Sequence, residues 1–263
     1  MRSHKRILGL LLAVIIFAVA ATVATLRGQG QSNSDHNEQQ SFNAGQLPVV
    51  DYAAPEPAEP EKRALRRIRG SRHTRGNKQL IKELPSGIEE LPLNSHWWWG
   101  LPAIPAANSD VIVVGEVIDA QAYLSNDKTA VYSEFTIRTD AALKNNSSTP
   151  LDNTIVAERP GGAVRFQSGR IQHYRIDKQG VPQVGHRYLF FLKRNEEGQD
   201  FSILTGYELR AGRVFALDST GDNSNNKLPF DDYNGCEEST FLNKVRNAIA
   251  NPSQVLPEKG VQN

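Results

Sequence analysis

The chain has 263 residues, 39% of them hydrophobic and 22% charged, with a net charge of +1. So small a net charge excludes a global field that would steer nucleic acid or an acidic substrate, and no nucleic-acid partner is expected. The one cysteine, Cys236, excludes an intrachain disulfide and a cysteine-rich zinc site, and the one methionine is the initiator.

The first element is a run of 20 uncharged, mostly apolar residues from Ile7 to Leu26. As a helix it would be about 30 Å long, enough to cross a bilayer. Arg2, Lys5 and Arg6 precede it and only Arg27 follows closely. That asymmetry predicts a single-pass anchor with the N-terminus in the cytoplasm and the bulk of the chain outside. A cleaved signal peptide is the alternative, with Ala18-Val19-Ala20 as an A-x-A-like site and a secreted or periplasmic product. No cysteine lies near Ala20, so a lipoprotein anchor is excluded. An extracytoplasmic chain of this size without disulfides is expected of a bacterium.

Residues 1–27 thus form the signal-anchor, and 28–95 read as a disordered tether. Gly28 to Gln46 is polar and low in complexity, and Pro48 to Pro60 is richer in proline and acid, hence stiffer. From Lys62 to Lys82 the charge flips, with nine Lys/Arg and no acid. Outside the cytoplasm the natural partner for such a run is an anionic lipid surface or wall polymer, with Arg66, Arg67 and Arg69 as the expected contact residues. The plainer reading is a solvated tether without a specific partner.

Strand signals begin at Asp110. DVIVVGEVIDAQAYLS is rich in β-branched residues, and Gly115 marks a bulge or bend. After a turn at Ser125, AVYSEFTIRTDAAL alternates as a half-buried strand. TIVAERPGGAVRF gives two strands around Pro160-Gly161-Gly162, and His173 to Ile176 adds a short one. Arg187 to Lys193 is the strongest strand, followed by a hairpin loop, NEEGQD, and a final pair turning at Ala211-Gly212. Six or seven short strands with glycine-bearing turns predict a mainly β fold, a small antiparallel OB-like barrel over 96–218. Its expected core is Val113, Val117, Phe135, Ile137, Ile155, Val164, Leu189, Phe191, Ile203, Leu209 and Val214. Residues 219–263 supply a loop, a tail and an amphipathic C-terminal helix with Phe241, Leu242, Val245 and Ile249 on one side.

The runs SDVIVVGEV, YSEFTIR, VAERPGG, VGHRYLFFLKR and ILTGYELRAGRVFALD resemble a group of uncharacterised bacterial exported proteins. Their arrangement also resembles the netrin-like, OB-type barrel of tissue inhibitors of metalloproteinases. The resemblance covers about residues 95 to 218 and implies the fold alone. Those inhibitors have many disulfides and an N-terminal zinc-chelating cysteine, which this chain lacks, so their chemistry does not carry over.

No nucleophile elbow, phosphate-binding glycine loop, dinucleotide fingerprint or zinc-protease motif is present. No catalytic, cofactor-binding or metal-binding residue is therefore assigned, and no cofactor is expected. A hydrolase site assembled from scattered residues would need His173, His186, Glu158 and Ser168 to converge. Glu158-Arg159 otherwise reads as an ordinary strand-end ion pair, and Asp222 to Asn226 lacks the glycine and glutamate of a calcium loop. Cys236 is a lone thiol at a helix start.

All three tryptophans, Trp97, Trp98 and Trp99, are consecutive and cannot face one way. Three readings stand: an arm covering the barrel, a site for a protein or glycan partner, or membrane-interface contact beside the basic run. The function expected overall is non-catalytic binding at the cell envelope. The alternatives are a structural component that grips anionic lipid or wall polymer, and an unrecognised hydrolase.

Overall fold

The computed structural model describes residues 47–74, 80–85, 90–93, 100–219 and 227–252. Among the described residues, ten strands and two α-helices follow in chain order: β1 (Val49–Asp51), α1 (Pro60–Arg72), β2 (Glu90–Leu93), β3 (Val111–Leu124), β4 (Val131–Asn145), β5 (Thr154–Pro160), β6 (Gly162–Arg165), β7 (Ile171–Ile176), β8 (Arg187–Asn195), β9 (Asp200–Arg210), β10 (Arg213–Ala216) and α2 (Glu238–Ala250). The protein is mainly β, as its strand pattern predicts.

Five strands form a ring in the order β3-β4-β5-β9-β8 and back to β3. All neighbours are antiparallel except β5 and β9. These meet in parallel over only Ala157↔Phe201 and Glu158↔Ser202, so the ring is only partly closed. β10 extends the sheet outward from β9.

β3 shows how the sequence makes this ring. Its first half pairs on both sides, with β4 and with β8, and three register shifts bend it along β4. Gly115 sits at one of them. A Cβ there would lie 2.5 Å from the Arg138 carbonyl oxygen, so only glycine lets the strands approach this closely. The run VIVV is apolar throughout because both faces of β3 are covered. Val111, Val113 and Val117 join Phe135, Ile137, Phe190 and Ile203 in a cluster drawn from all five ring strands, the ring interior. Ile112 and Val114 point the other way, into a second cluster with Leu189, Phe191, Tyr207 and Val214 that is covered by Phe241 and Val245 of α2.

α2 begins where Glu237 accepts hydrogen bonds from the Ser239 and Thr240 amides. The Ser239 hydroxyl, which donates to Glu237 Oε2 at 2.7 Å, and those two amides together hold its carboxyl down at about 2. Phe241, Val245 and Ala248 are buried, and Leu242 and Ile249 pack at the margin of the same cluster.

A second sheet, ordered β1-β6-β7-β2, is built on the β6–β7 hairpin. β1 runs parallel to β6, and β2 runs parallel to β7. Strands from the stretch that composition assigned to a tether therefore flank a hairpin inserted between β5 and β8. Val50 and Ile81 are buried there against Ala122, Val131, Val164, Phe166 and Tyr174. Ile7 to Leu26 lies outside the described residues, and among the described residues no helix is long and apolar enough to cross a membrane.

Candidate functional site

The basic stretch from residue 62 contains a folded helix, α1, where composition predicts an open tether. Pro60 at its start presets a helical φ, and Glu61 lies in its first turn. Its last turn presents Arg69, Arg72 and His73 to three carboxylates on the ring: Glu134 of β4, Glu158 of β5 and Asp200 of β9.

Arg69 donates to Glu134 Oε2 at 2.8 Å and to the Gly198 carbonyl at 3.0 Å. Arg72 donates to Glu158 Oε1 at 3.0 Å and to Asp200 Oδ2 at 2.5 Å. His73 Nε2 lies 3.1 Å from Glu158 Oε2, and its ring stacks on Tyr132 with centroids 4.2 Å apart. At the opposite side Asn126 donates to the Arg67 carbonyl at 2.8 Å. Gly70 makes this approach possible, since a Cβ there would lie 2.4 Å from Asn126 Oδ1. α1 thus lies between two hairpin turns of the ring, β3–β4 at Asn126 and β8–β9 at Gly198.

The cluster is desolvated. The Asp200 and Glu158 side chains are 0% and 4% exposed, and those of Arg69 and Glu134 are 12% and 11%. Two arginines face three carboxylates, so the carboxylates do not behave alike. Burial pushes Asp200 up to about 6, and the neighbouring negative charge of Glu158 adds to it. Burial also raises Glu158, but the hydrogen bonds and charges of His73 and Arg72 together carry it below the usual glutamate range. Glu134 Oε1, Asp200 Oδ1 and the Tyr132 hydroxyl are buried without a hydrogen-bond partner among the described residues.

Glu158 and its neighbour Arg159 do not pair with each other, contrary to the strand-end reading. Successive strand residues face opposite ways. Glu158 turns to α1, while Arg159 forms a two-pronged pair with Asp218, both contacts at 2.7 Å. Asp218 also accepts from Thr205 Oγ1 and the Gly180 amide.

The residues required for a scattered hydrolase site engage different partners. Ser168 Oγ donates to Glu83 at 2.7 Å, His186 pairs with Glu208 at 3.0 Å, and Glu158 serves α1. His173 sits opposite Ala163 on the β6–β7 hairpin.

The expected contact arginines take three separate roles. Arg69 is turned inward to Glu134. Arg66 stacks on the Tyr123 ring, and Arg67 reaches out to Glu56 at 2.9 Å. Trp97, Trp98 and Trp99 lie outside the described residues. Sequence reasoning placed Arg72 in the basic run without a partner and missed Glu134, Asp200 and His73 as its companions. The available signal was an acid set among apolar strand residues, as in YSEFTI and AERP.

Beside α1 a groove of about 610 Å³ is lined by Tyr52, Lys62, Arg66, Gln121, Tyr123 and Lys128, among others. The chain matches no protein-family model and no curated protein.

Proposed function

We propose that the protein is a non-catalytic binding module of the bacterial envelope, held outside the cytoplasm by the apolar segment Ile7 to Leu26. Its recognition surface is built from the docked arm together with the barrel. The strand order of the ring, antiparallel but for a short parallel closure, supports an OB-type barrel. Such barrels take ligands across the face between the loops that here are the β3–β4 and β8–β9 turns.

One observation carries the reading: in this chain that face is filled. Arg69 and Arg72 tie α1 across it, to Glu134, Glu158 and Asp200. The helix then contributes one wall of the groove next to it. Recognition is thereby moved from the bare barrel to the joint between arm and barrel. Lys62 and Arg67, 68% and 62% exposed, lie at the margin of that groove, each paired with a glutamate of the arm.

Co-sedimentation of the full chain with purified cell-wall material tests this. The expected result is binding that survives high salt and is lost in the Arg69→Ala/Arg72→Ala variant. Binding that salt alone abolishes, with no effect of the two substitutions, would assign the role to diffuse charge and overturn the reading. Protease treatment of intact cells tests the topology, the expected outcome being digestion of everything beyond the apolar segment.

A further inference from the structure

We propose that the groove beside α1 is a site for an anionic saccharide, with Arg66 and Lys128 as the residues that hold its carboxylate or phosphate. The inference rests on the binding-module reading and names the ligand class for that same surface.

The groove is bounded by residues 49–57, by α1 and by the tip of the β3–β4 hairpin. Its volume, about 610 Å³, is that of sites for small organic ligands. Its charges divide into two groups. Arg69 is taken up by Glu134, Arg67 by Glu56, Lys62 by Glu59 and Asp51 by Arg165. Arg66 and Lys128 instead lie over tyrosine rings, Arg66 on Tyr123 and Lys128 on Tyr52, with no carboxylate partner among the described residues. A ring beneath a cation orients it without cancelling its charge, and although the Lys128 ammonium also reaches the Tyr52 carbonyl at 3.4 Å, it keeps donors for an oxyanion.

The backbone fixes the place of Lys128. Lys128 has φ +53°, in the left-handed region that favours glycine or asparagine. The turn enforces this conformation. Ser125 Oγ donates to Asp127 Oδ1 at 2.7 Å, the Thr129 amide and hydroxyl donate to the same oxygen, and the Ile81 amide donates to the Lys128 carbonyl. The turn thereby holds Lys128 at the edge of the groove, beside Tyr52. Tyr52 is fixed in turn by stacking on Phe166, with centroids 5.4 Å apart.

A saccharide suits this place better than a bilayer. The groove is concave, and its walls mix lysine and arginine with Gln121 and Asn126, amides that can meet ring hydroxyls. An anionic lipid surface needs only outward-facing basic residues and would draw nothing from a concave groove.

The test is calorimetric titration of the full chain in detergent with five probes. These are a galacturonate trisaccharide, a glycerol-phosphate oligomer, neutral maltotriose, inorganic phosphate and phosphatidylglycerol vesicles. Wild type is expected to bind the galacturonate probe in preference to maltotriose, the glycerol-phosphate oligomer and inorganic phosphate. Lys128→Asn is expected to weaken that binding at least ~10-fold, the loss of one charge-assisted contact, while the melting temperature holds or rises because the backbone strain is relieved. Arg66→Gln should weaken it similarly. Equal binding of inorganic phosphate, binding of vesicles alone, or no effect of Lys128→Asn would each overturn the proposal. If wall co-sedimentation still depends on Arg69 and Arg72 in that case, the binding-module reading survives without this ligand.

Discussion

Arg72 of α1 and Asp200 of β9 approach to 2.5 Å across 128 positions of sequence. The contact joins the stretch that looks most like a loose basic tether to the first residue of a ring strand. Asp200 is buried, and Arg72 also holds Glu158, so one guanidinium spans the short parallel closure between β5 and β9.

Asp200 gives this contact a pH dependence. Its carboxyl titrates at about 6 in the folded protein against 3.8 ordinarily, so the folded state holds this proton more tightly. Its contribution to stability is fully present below the ordinary value and is lost as pH rises through about 6. Glu158 runs the other way: its folded value is lowered, so its contribution is present above 4.5 and is lost as pH falls through its folded value. Between 4.5 and 6 Asp200 therefore sets the slope. Urea unfolding at a series of pH values should show Asp200→Asn flattening the loss of stability across that window. An unchanged slope would remove Asp200 as its source.

The Arg159–Asp218 pair should be costly to break from one side. Both side chains are essentially inaccessible, at 1% and 0% exposure. Asp218→Asn leaves a buried guanidinium facing a neutral amide and is expected to cost about 3–5 kcal/mol in urea unfolding. A loss below about 1 kcal/mol would mean that solvent reaches the site.

Gly115 and Gly212 should both lose stability to a methyl group, but by very different amounts. At Gly115 a Cβ would press on the Arg138 carbonyl at 2.5 Å and on Ile137 Cγ2 at 2.7 Å. Gly212, in the β9–β10 turn, has φ +72° and nothing within 4 Å, so alanine there meets backbone strain alone. Thermal unfolding should rank Gly115→Ala well below Gly212→Ala, the latter costing about 1 kcal/mol.

The core was legible in outline because alternation and β-branching mark buried strand faces. Val113, Val117, Phe135 and Ile137 read as core and line the ring interior. Leu189, Leu209 and Val214 read as core too, but they belong to the outer cluster under α2. Periodicity shows that a side chain is buried and is silent about which of two covered faces buries it. The second sheet was hidden for a different reason. β1 and β2 have three and four residues, too few for a period to register, and they pair with a hairpin more than 70 residues away.

The site was less legible than the core. Arg66, Arg67 and Arg69 stood out as charge, yet charge content cannot separate Arg69, turned inward to Glu134, from Arg67, turned outward to Glu56. That distinction comes from the helical spacing of Arg69, Arg72 and His73 against acids on three strands. Glu158 and Arg159 were noticed as neighbours, and the sidedness of a strand then sends them to different partners.

Hydrogen-exchange mass spectrometry across residues 60–73 tests the docked arm most directly. The account predicts amides in α1 exchanging orders of magnitude more slowly than an unstructured chain, with that protection lost in Arg69→Ala/Arg72→Ala while β3 and β8 stay protected. Exchange of the wild-type segment at unstructured rates would show a free tether and contradict the account.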